Sequence, residues 1–166
     1  GQLDSGETID LKIQVKNNGS ANASTVNGTL STTDPNVTVV QPSVTYGSIS
    51  AGSTTNVSTS YRILIPVIAP DDREMSFNLR LTDNAGRTWN ERVGLTNHAA
   101  ILRHNGETVV DLGGNSNGRP DPGESVQYTV KIKNLGTGPA SSVTAKLRSW
   151  NGLAVVTDSM ATWGTI

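Results

Sequence analysis

Residues 4–19 read DSGETIDLKIQVKNNG, and residues 121–136 read DPGESVQYTVKIKNLG. In the first copy, the apolar residues Leu11, Ile13 and Val15 alternate with polar residues. A hydrophobic period of two predicts a half-buried β-strand. Each copy opens with Asp-x-Gly-Glu and ends with Asn-x-Gly, and the closing Asn and Gly are turn residues that tolerate positive φ. The repeated stretch therefore predicts a strand that leads into a tight turn.

The two copies are separated by an offset of 117 residues, and the correspondence continues without a gap to Ile49 and Ile166. It contains 14 identities over 46 aligned positions, concentrated at turn and core positions. With this period the chain holds about one and a half modules. We expect a first module at residues 1–97 that lacks its first strand region. Residues 98–166 are expected to be the N-terminal part of a second module, so that the chain is part of a longer polypeptide.

The rest of the chain also has the pattern of short strands separated by turns. The further predicted strands cover residues 23–31, 37–41, 44–49, 54–65, 74–82 and 88–95. Residues 83–86, Asp-Asn-Ala-Gly, predict a hairpin turn between the last two. No window has an apolar period of 3.6 with helix caps. The predicted fold class is all-β, with tandem immunoglobulin-like antiparallel β-sandwiches of which the second is incomplete.

Composition excludes several classes of protein. Charged residues make up 16%, the net charge is −1 and there is no cysteine. Disulfides, thiolate metal sites and cysteine nucleophiles are therefore excluded, and the lack of a basic run argues against nucleic acid as a partner. The longest apolar stretch, around residues 63–68, contains Pro66 and is too short to span a membrane.

The order of these motifs resembles a known family. Asp-x-Gly-Glu, an alternating strand, Lys-Asn-x-Gly and then Ala-Ser-x-Val-x-x-x-Leu are similar to the cell-adhesion-related immunoglobulin-like modules of secreted bacterial and archaeal surface proteins. Residues 46–52 (YGSISAG) and 81–89 (LTDNAGRTW) also resemble that family. The resemblance implies a non-catalytic spacer, adhesive unit or accessory domain, located outside the cell or on its surface.

Residues 111–124, DLGGNSNGRPDPGE, resemble a calcium-binding loop in their spacing. Calcium takes six to eight hard oxygen ligands from a flexible loop, with Gly at position six of a helix–loop–helix site. Counted from Gly113, position six is Gly118, and Asp111 could replace the missing first ligand only if the loop bends back. The candidate ligands are Asp111, Asn115, Asn117, the carbonyl of Arg119, Asp121 and Glu124. The alternative is a polar connector in which Asp121 and Glu124 cap turns.

Other candidate sites are less specific. Five Asn-x-Ser/Thr sequons are candidate glycosylation sites, at Asn18, Asn22, Asn27, Asn36 and Asn56. They also arise by chance in a chain rich in Asn, Ser and Thr. Trp150, beside Asn-Gly, is a candidate glycan-stacking residue, whereas Trp89 is predicted to lie in the core. His98 and His104 have no accompanying cluster of carboxylates or cysteines and are interpreted as solvated.

These patterns favour a non-catalytic module, since no Gly-x-Ser-x-Gly elbow or strand–turn–helix context for a nucleophile is present. The expected function is a structural or adhesive repeat of a larger cell-surface or secreted protein. Its expected partners are neighbouring modules, like subunits, cell-surface proteins or glycans. An accessory domain of a secreted hydrolase or peptidase and a strand-exchanging surface filament subunit are the alternatives, the latter because open sheet edges accept strands.

Overall fold

A computed structural model describes residues 2–111 and 113–166 of the chain. Its contacts divide the chain into two compact units, one ending at Ala99 and one beginning at Ala100, which we call unit 1 and unit 2. Within the described residues every regular element is a strand, so the predicted all-β class is confirmed. The strands are β1 (Leu3–Asp4), β2 (Thr8–Leu11), β3 (Val15–Lys16), β4 (Ala23–Ser31), β5 (Thr38–Gln41), β6 (Ser43–Ile49), β7 (Thr54–Thr55), β8 (Tyr61–Leu64), β9 (Arg73–Thr82), β10 (Thr88–His98), β11 (Leu102–Asp111), β12 (Val126–Asn134), β13 (Thr144–Lys146) and β14 (Met160–Thr162).

Unit 1 is an immunoglobulin-like β-sandwich. One layer is a five-stranded sheet in the order β1-β10-β9-β4-β6. The other contains the three-stranded sheet β2-β8-β5 and the short pair β3-β7. All pairs are antiparallel except β1–β10, in which Leu3 lies opposite Asn97. The predicted hairpin at residues 83–86 joins β9 to β10, and Gly86 N–H donates to the Asp83 carbonyl at 3.1 Å.

The core of unit 1 lies between these layers, and the alternating strands supply it from both sides. Met75, Phe77 and Leu79 of β9 are buried, with exposed fractions of 0%, 2% and 1%. Tyr61 and Ile63 of β8 are completely buried. Because side chains on a strand alternate between its two faces, each of these strands presents one apolar face to the core. Large side chains buried in this way provide most of the hydrophobic stabilisation of a small sandwich.

The strand predictions were correct in position and partly wrong in continuity. The alternation from Leu11 to Val15 is divided between β2 and β3, and the predicted strand at residues 54–65 is divided between β7 and β8. Both interruptions occur because β2 pairs with β8 whereas β3 pairs with β7, so the same break falls in both partners. Strand β11 was not predicted, since its sequence lacks regular alternation.

Trp89 was predicted to be a core residue, and this was wrong. The residue lies on β10 and is 39% exposed, with the guanidinium carbon of Arg87 5.7 Å from its ring centroid. Its cross-strand partner Leu81 is 9% exposed and belongs to the core. The aromatic ring therefore covers the edge of the core and contacts a cation.

Unit 2 contains two antiparallel pairs, β11–β12 and β13–β14. It repeats specific contacts of unit 1 at the offset of 117. Asn17 Nδ2 donates to the carbonyls of Ala21 and Ile49 at 2.9 and 3.1 Å. Asn134 Nδ2 donates to the carbonyls of Gly138 and Ile166 at 2.8 and 3.1 Å. The internal repeat is thus present in the side-chain hydrogen bonds as well as in the amino-acid sequence. The boundary at 97/98 and a second sandwich beginning there stay predictions.

Candidate functional site

The candidate calcium loop connects β11 to β12 within unit 2. Asp111 is the last residue of β11, and the loop reaches Val126 at the start of β12. Leu112, inside the predicted segment, lies outside the described residues. Gly118 and Gly123 have φ of +72° and +85°, which is the left-handed region that glycine enters without steric cost. These two turns fold the loop back on itself.

Glu124 holds the loop together through both of its carboxylate oxygens. Oε1 accepts a hydrogen bond from the Asn115 backbone N–H at 3.0 Å. Oε2 accepts one from the Asp121 backbone N–H at 3.1 Å. Backbone groups at two distant points of the loop are therefore bound to one side chain, which orients the carboxylate toward the inside of the loop.

Asn115 and Asn117 converge on Asp121. The Nδ2 atoms of both asparagines donate to Asp121 Oδ2 at 2.8 Å. These hydrogen bonds, from Asn115 and then Asn117, lower the pKa of Asp121 below its ordinary value. The Oδ1 atoms of the asparagines accept the backbone N–H groups of Asn117 and Arg119 at 3.0 and 2.7 Å. The amide oxygens thus stabilise turns in this arrangement.

Asp111 is the unusual residue of the loop. Both of its carboxylate oxygens are buried and neither has a hydrogen-bond partner. A Cβ atom built at Gly114 would lie 2.8 Å from Asp111 Oδ1 and would collide with Glu124 Oε1. The carboxylates of Asp111 and Glu124 therefore both lie close to Gly114, on the side where a Cβ atom would be. The loop does bend back, as a ligand role for Asp111 requires.

The predicted ligands are brought together in two groups. Asp111 and Glu124 meet beside Gly114, while Asn115 and Asn117 surround Asp121, and Glu124 connects the groups through its hydrogen bonds. No three His, Cys, Asp or Glu side chains gather as a metal-binding cluster anywhere in residues 2–111 and 113–166. A cation here would complete its shell with amide, backbone or water oxygens, which is the chemistry of calcium.

Unit 1 contains the matching Asp-x-Gly-Glu turn. Asp4 N–H donates to Glu7 Oε2 at 3.3 Å, as Asp121 N–H does to Glu124. Gly6 has a φ of +90°, close to that of Gly123. Asp4 Oδ1 is buried without a partner. The turn is therefore built by the four-residue motif itself, independently of the loop that precedes it in unit 2.

The remaining candidate residues lie on the surface. Trp150 is fully exposed, and the sequons at Asn18, Asn22, Asn27 and Asn56 are exposed while Asn36 is half-buried. His104 Nε2 lies 2.8 Å from Glu107 Oε2 and is 58% exposed. Glycan attachment and glycan stacking at these positions stay predictions.

The charged side chains of unit 1 form pairs along the strands. Arg62 binds Asp10 through Nε–Oδ1 at 2.8 Å, and this hydrogen bond lowers the pKa of the carboxyl. Arg92 Nη2 lies 3.1 Å from Glu74 Oε1. Both pairs are solvent-exposed, and such pairs contribute little to stability. Within each pair, the positive and negative charges neutralise each other on the exposed surface of the sandwich.

Unit 1 has a groove of about 850 Å³ lined by residues of both layers, which no motif in the sequence predicted. Its walls include Val15 and Lys16 of β3 on one side and Trp89 and Val93 of β10 on the other.

The CARDB family model matches residues 1–79 of the chain. CARDB domains are non-catalytic immunoglobulin-like domains found in bacterial and archaeal surface proteins. A search of curated proteins found no match. Among the described residues, no helix has the length and apolar character needed to cross a membrane.

Proposed function

Starting from the match of residues 1–79 to the CARDB family model, we propose that this chain is a non-catalytic structural or adhesive module of an extracellular surface protein. The observation that carries the proposal is the packing of unit 1. Side chains from both layers fill one continuous core, including Tyr61, Ile63, Met75 and Phe77. A rigid sandwich of this kind maintains the spacing between the segments at its two ends.

The arrangement of ionisable groups supports a mechanical function over a catalytic one. In unit 1 the carboxylates of Asp10, Asp34, Glu74 and Asp83 are each paired with an arginine. General acid–base chemistry needs titratable groups that converge on a substrate site. The four pairs instead involve several strands and the loops at Asp34 and Asp83, and in each pair the charges are balanced.

Surface location is the part of this proposal to test first. Antibodies against unit 1 should label intact, unpermeabilised cells of the source organism or detect the protein in the culture medium. A cytoplasmic protein should serve as the control for membrane integrity. Labelling that requires permeabilisation, with none in the medium, would refute an extracellular function.

The groove in unit 1 favours strand exchange as a second candidate function. Directly after β3, Asn17 N–H donates to the Ser53 carbonyl, and the Asn17 carbonyl accepts from Gly52 N–H, at 2.9 and 2.8 Å. Backbone groups of successive residues in a strand point to opposite edges. The backbone groups of Lys16 and Asn18 therefore point to the other edge, and no described strand pairs there.

Unit 2 indicates what kind of element fits this edge. Leu135, the counterpart of Asn18, donates its N–H to the Ile101 carbonyl at 2.8 Å, and β11 pairs with β12 from Leu102 to Asp111. The edge that β11 covers in unit 2 is thus the edge that is uncovered in unit 1. An extended segment similar to β11, supplied by a second copy of the chain, would add a strand to β3 and cover the groove.

Strand addition predicts self-association that depends on the Lys16 amide. Sedimentation velocity over a range of concentrations should show dimers or larger species of the wild-type chain. Lys16→Pro removes the outward-pointing N–H and should abolish them, whereas Lys16→Ala keeps that N–H and should not. A wild-type chain that stays monomeric at all concentrations, or a Lys16→Pro variant that associates equally, would refute this second function.

A further inference from the structure

We propose that the β11–β12 loop is a calcium site in which Asp111 and Glu124 are the primary carboxylate ligands. The two carboxylates are adjacent to the same point beside Gly114. The oxygens of Asp111 are buried and have no hydrogen-bond donor. This binding activity is independent of where the parent protein is located and of whether unit 1 accepts a strand.

A buried carboxylate with no partner is unfavourable, because the ion loses hydration and gains no compensating interaction. Its approach to a second carboxylate adds repulsion between like charges. None of the ion pairs in the described part of the chain involves Asp111, Asp121 or Glu124. A bound cation would satisfy the oxygens of Asp111 and remove the repulsion in the same step.

The chemistry of the surrounding groups selects calcium among common cations. The side chains of Asp111 and Glu124 beside Gly114, and those of Asn115, Asn117 and Asp121, all offer oxygen, and the chain has no cysteine. Zinc sites in proteins are built mainly from Cys and His, and magnesium requires a nearly ideal octahedron. Calcium accepts six to eight oxygens in irregular geometry, including carbonyls and water. With two or three carboxylates, half-saturation is expected at about 10⁻⁴–10⁻³ M, as in extracellular modules.

Further ligands can come from the second group of the loop. Asp121 is held beside Glu124 through its backbone N–H. The amides of Asn115 and Asn117 present nitrogen to Asp121, so ligation by their oxygens requires rotation of each amide. The carbonyl of Arg119 is the remaining predicted ligand. Binding would thereby connect the end of β11 to the start of β12 and stiffen this hairpin of unit 2.

Unit 1 offers a matched control for the site. Glu7 makes the same turn hydrogen bond as Glu124, to the backbone N–H of Asp4 rather than Asp121. Glu7→Gln removes a carboxylate in the same motif without changing the β11–β12 loop. Comparison of Glu124→Gln with Glu7→Gln therefore separates loss of the calcium site from loss of the turn.

The test is isothermal titration of CaCl₂ into the 166-residue chain, with backbone NMR spectra recorded along the titration. We expect one saturable event, with shifts concentrated in residues 111–124. Asp111→Asn and Glu124→Gln should weaken binding at least about tenfold, and Glu7→Gln should leave it unchanged. The NMR spectra also report whether each variant keeps its fold, and Asp121→Asn provides a third variant if Asp111→Asn unfolds.

Three outcomes would overturn the proposal. The first is no saturable heat up to about 10 mM calcium, with identical melting curves in calcium and in chelator. The second is an equal response of wild type, Asp111→Asn and Glu124→Gln, which would indicate nonspecific association with a surface. The third is equal or tighter binding of magnesium, which would exclude the irregular oxygen shell on which the choice of calcium depends.

Discussion

Single polar side chains define the turns of both units. Asn17 and Asn134 each bind two carbonyls through Nδ2 and accept the N–H of the following Gly, Gly19 or Gly136, through Oδ1 at 3.0 Å. One asparagine therefore satisfies three backbone groups that the turn leaves without partners. Such a residue cannot be replaced by another polar residue of different shape without loss of hydrogen bonds.

Asp83 has the same function in the β9–β10 hairpin. Its side chain is fully buried, and Oδ1 accepts the N–H groups of Ala85 and Arg87 at 3.1 and 2.9 Å. Oδ2 accepts Arg87 Nε at 2.7 Å. Burial alone would raise the pKa of Asp83, but the hydrogen bonds and charge of Arg87 and the N–H of Ala85 lower it below its ordinary value of 3.8.

Asp83→Asn should lower the melting temperature in a pH-dependent manner. Because the folded-state pKa is lowered, the charged carboxylate stabilises the fold above the unfolded pKa of 3.8, and this stabilisation is lost as pH falls through the folded value. Melting curves should show a constant deficit at pH 5–7 that shrinks below about pH 4. The exposed Asp158→Asn is the control, and a deficit that is independent of pH would contradict the charge argument.

Among the elements, β9 is central to unit 1. It lies between β10 and β4 in the five-stranded sheet, and its inward residues contribute Met75, Phe77, Leu79 and Leu81 to the core. The outward residues between them, such as Asn78, are exposed. A strand with neighbours on both edges and one fully buried face has little freedom to shift register.

Phe77→Ala should destabilise unit 1 by about 3–5 kcal/mol, because truncation of a buried phenylalanine removes apolar burial and leaves a cavity. The neighbouring Asn78→Ala lies on the exposed face of the same strand and should change stability by no more than about 0.5 kcal/mol. Urea denaturation monitored by circular dichroism measures both values. Similar losses in the two variants would mean that the alternation of β9 does not define the core.

At the scale of the whole molecule, the two units differ in how much of their apolar surface is buried. Unit 1 contains all the buried hydrophobic residues found in the described part of the chain. The unit 2 counterparts of core residues are more exposed: Leu30 is 1% exposed whereas Leu147 is 39% exposed. Leucine at this repeat position thus contributes less burial energy in unit 2 than in unit 1.

Amide hydrogen-exchange rates should therefore differ between the two units. Amides of β4 and β9 should exchange only through global unfolding of unit 1. Amides of β12 should exchange at least about tenfold faster, since few buried contacts oppose local opening. Mass spectrometry of peptides from the intact chain measures both sets, and equal protection of β12 and β9 would contradict this division.

The sequence by itself determined the all-β class, the repeat and most of the strand positions. Those features depend on local pattern: alternation at Leu11–Val15 and Val126–Ile132, and turn residues such as Asn17 and Gly86. The order of turn and core residues also indicated the resemblance to CARDB modules. The match to the family model covers residues 1–79. The spacing of oxygen-bearing residues was enough to identify the candidate calcium loop.

Only the tertiary structure decided which neighbours each of these residues has. Pairing divided two predicted strands into β2, β3, β7 and β8, and it placed Trp89 at an exposed edge. It also left Asp111 without a partner beside Glu124, 13 positions away in the sequence. Periodicity reports which face of a strand is apolar, whereas edge pairing, burial and the approach of two carboxylates depend on contacts between segments distant in sequence.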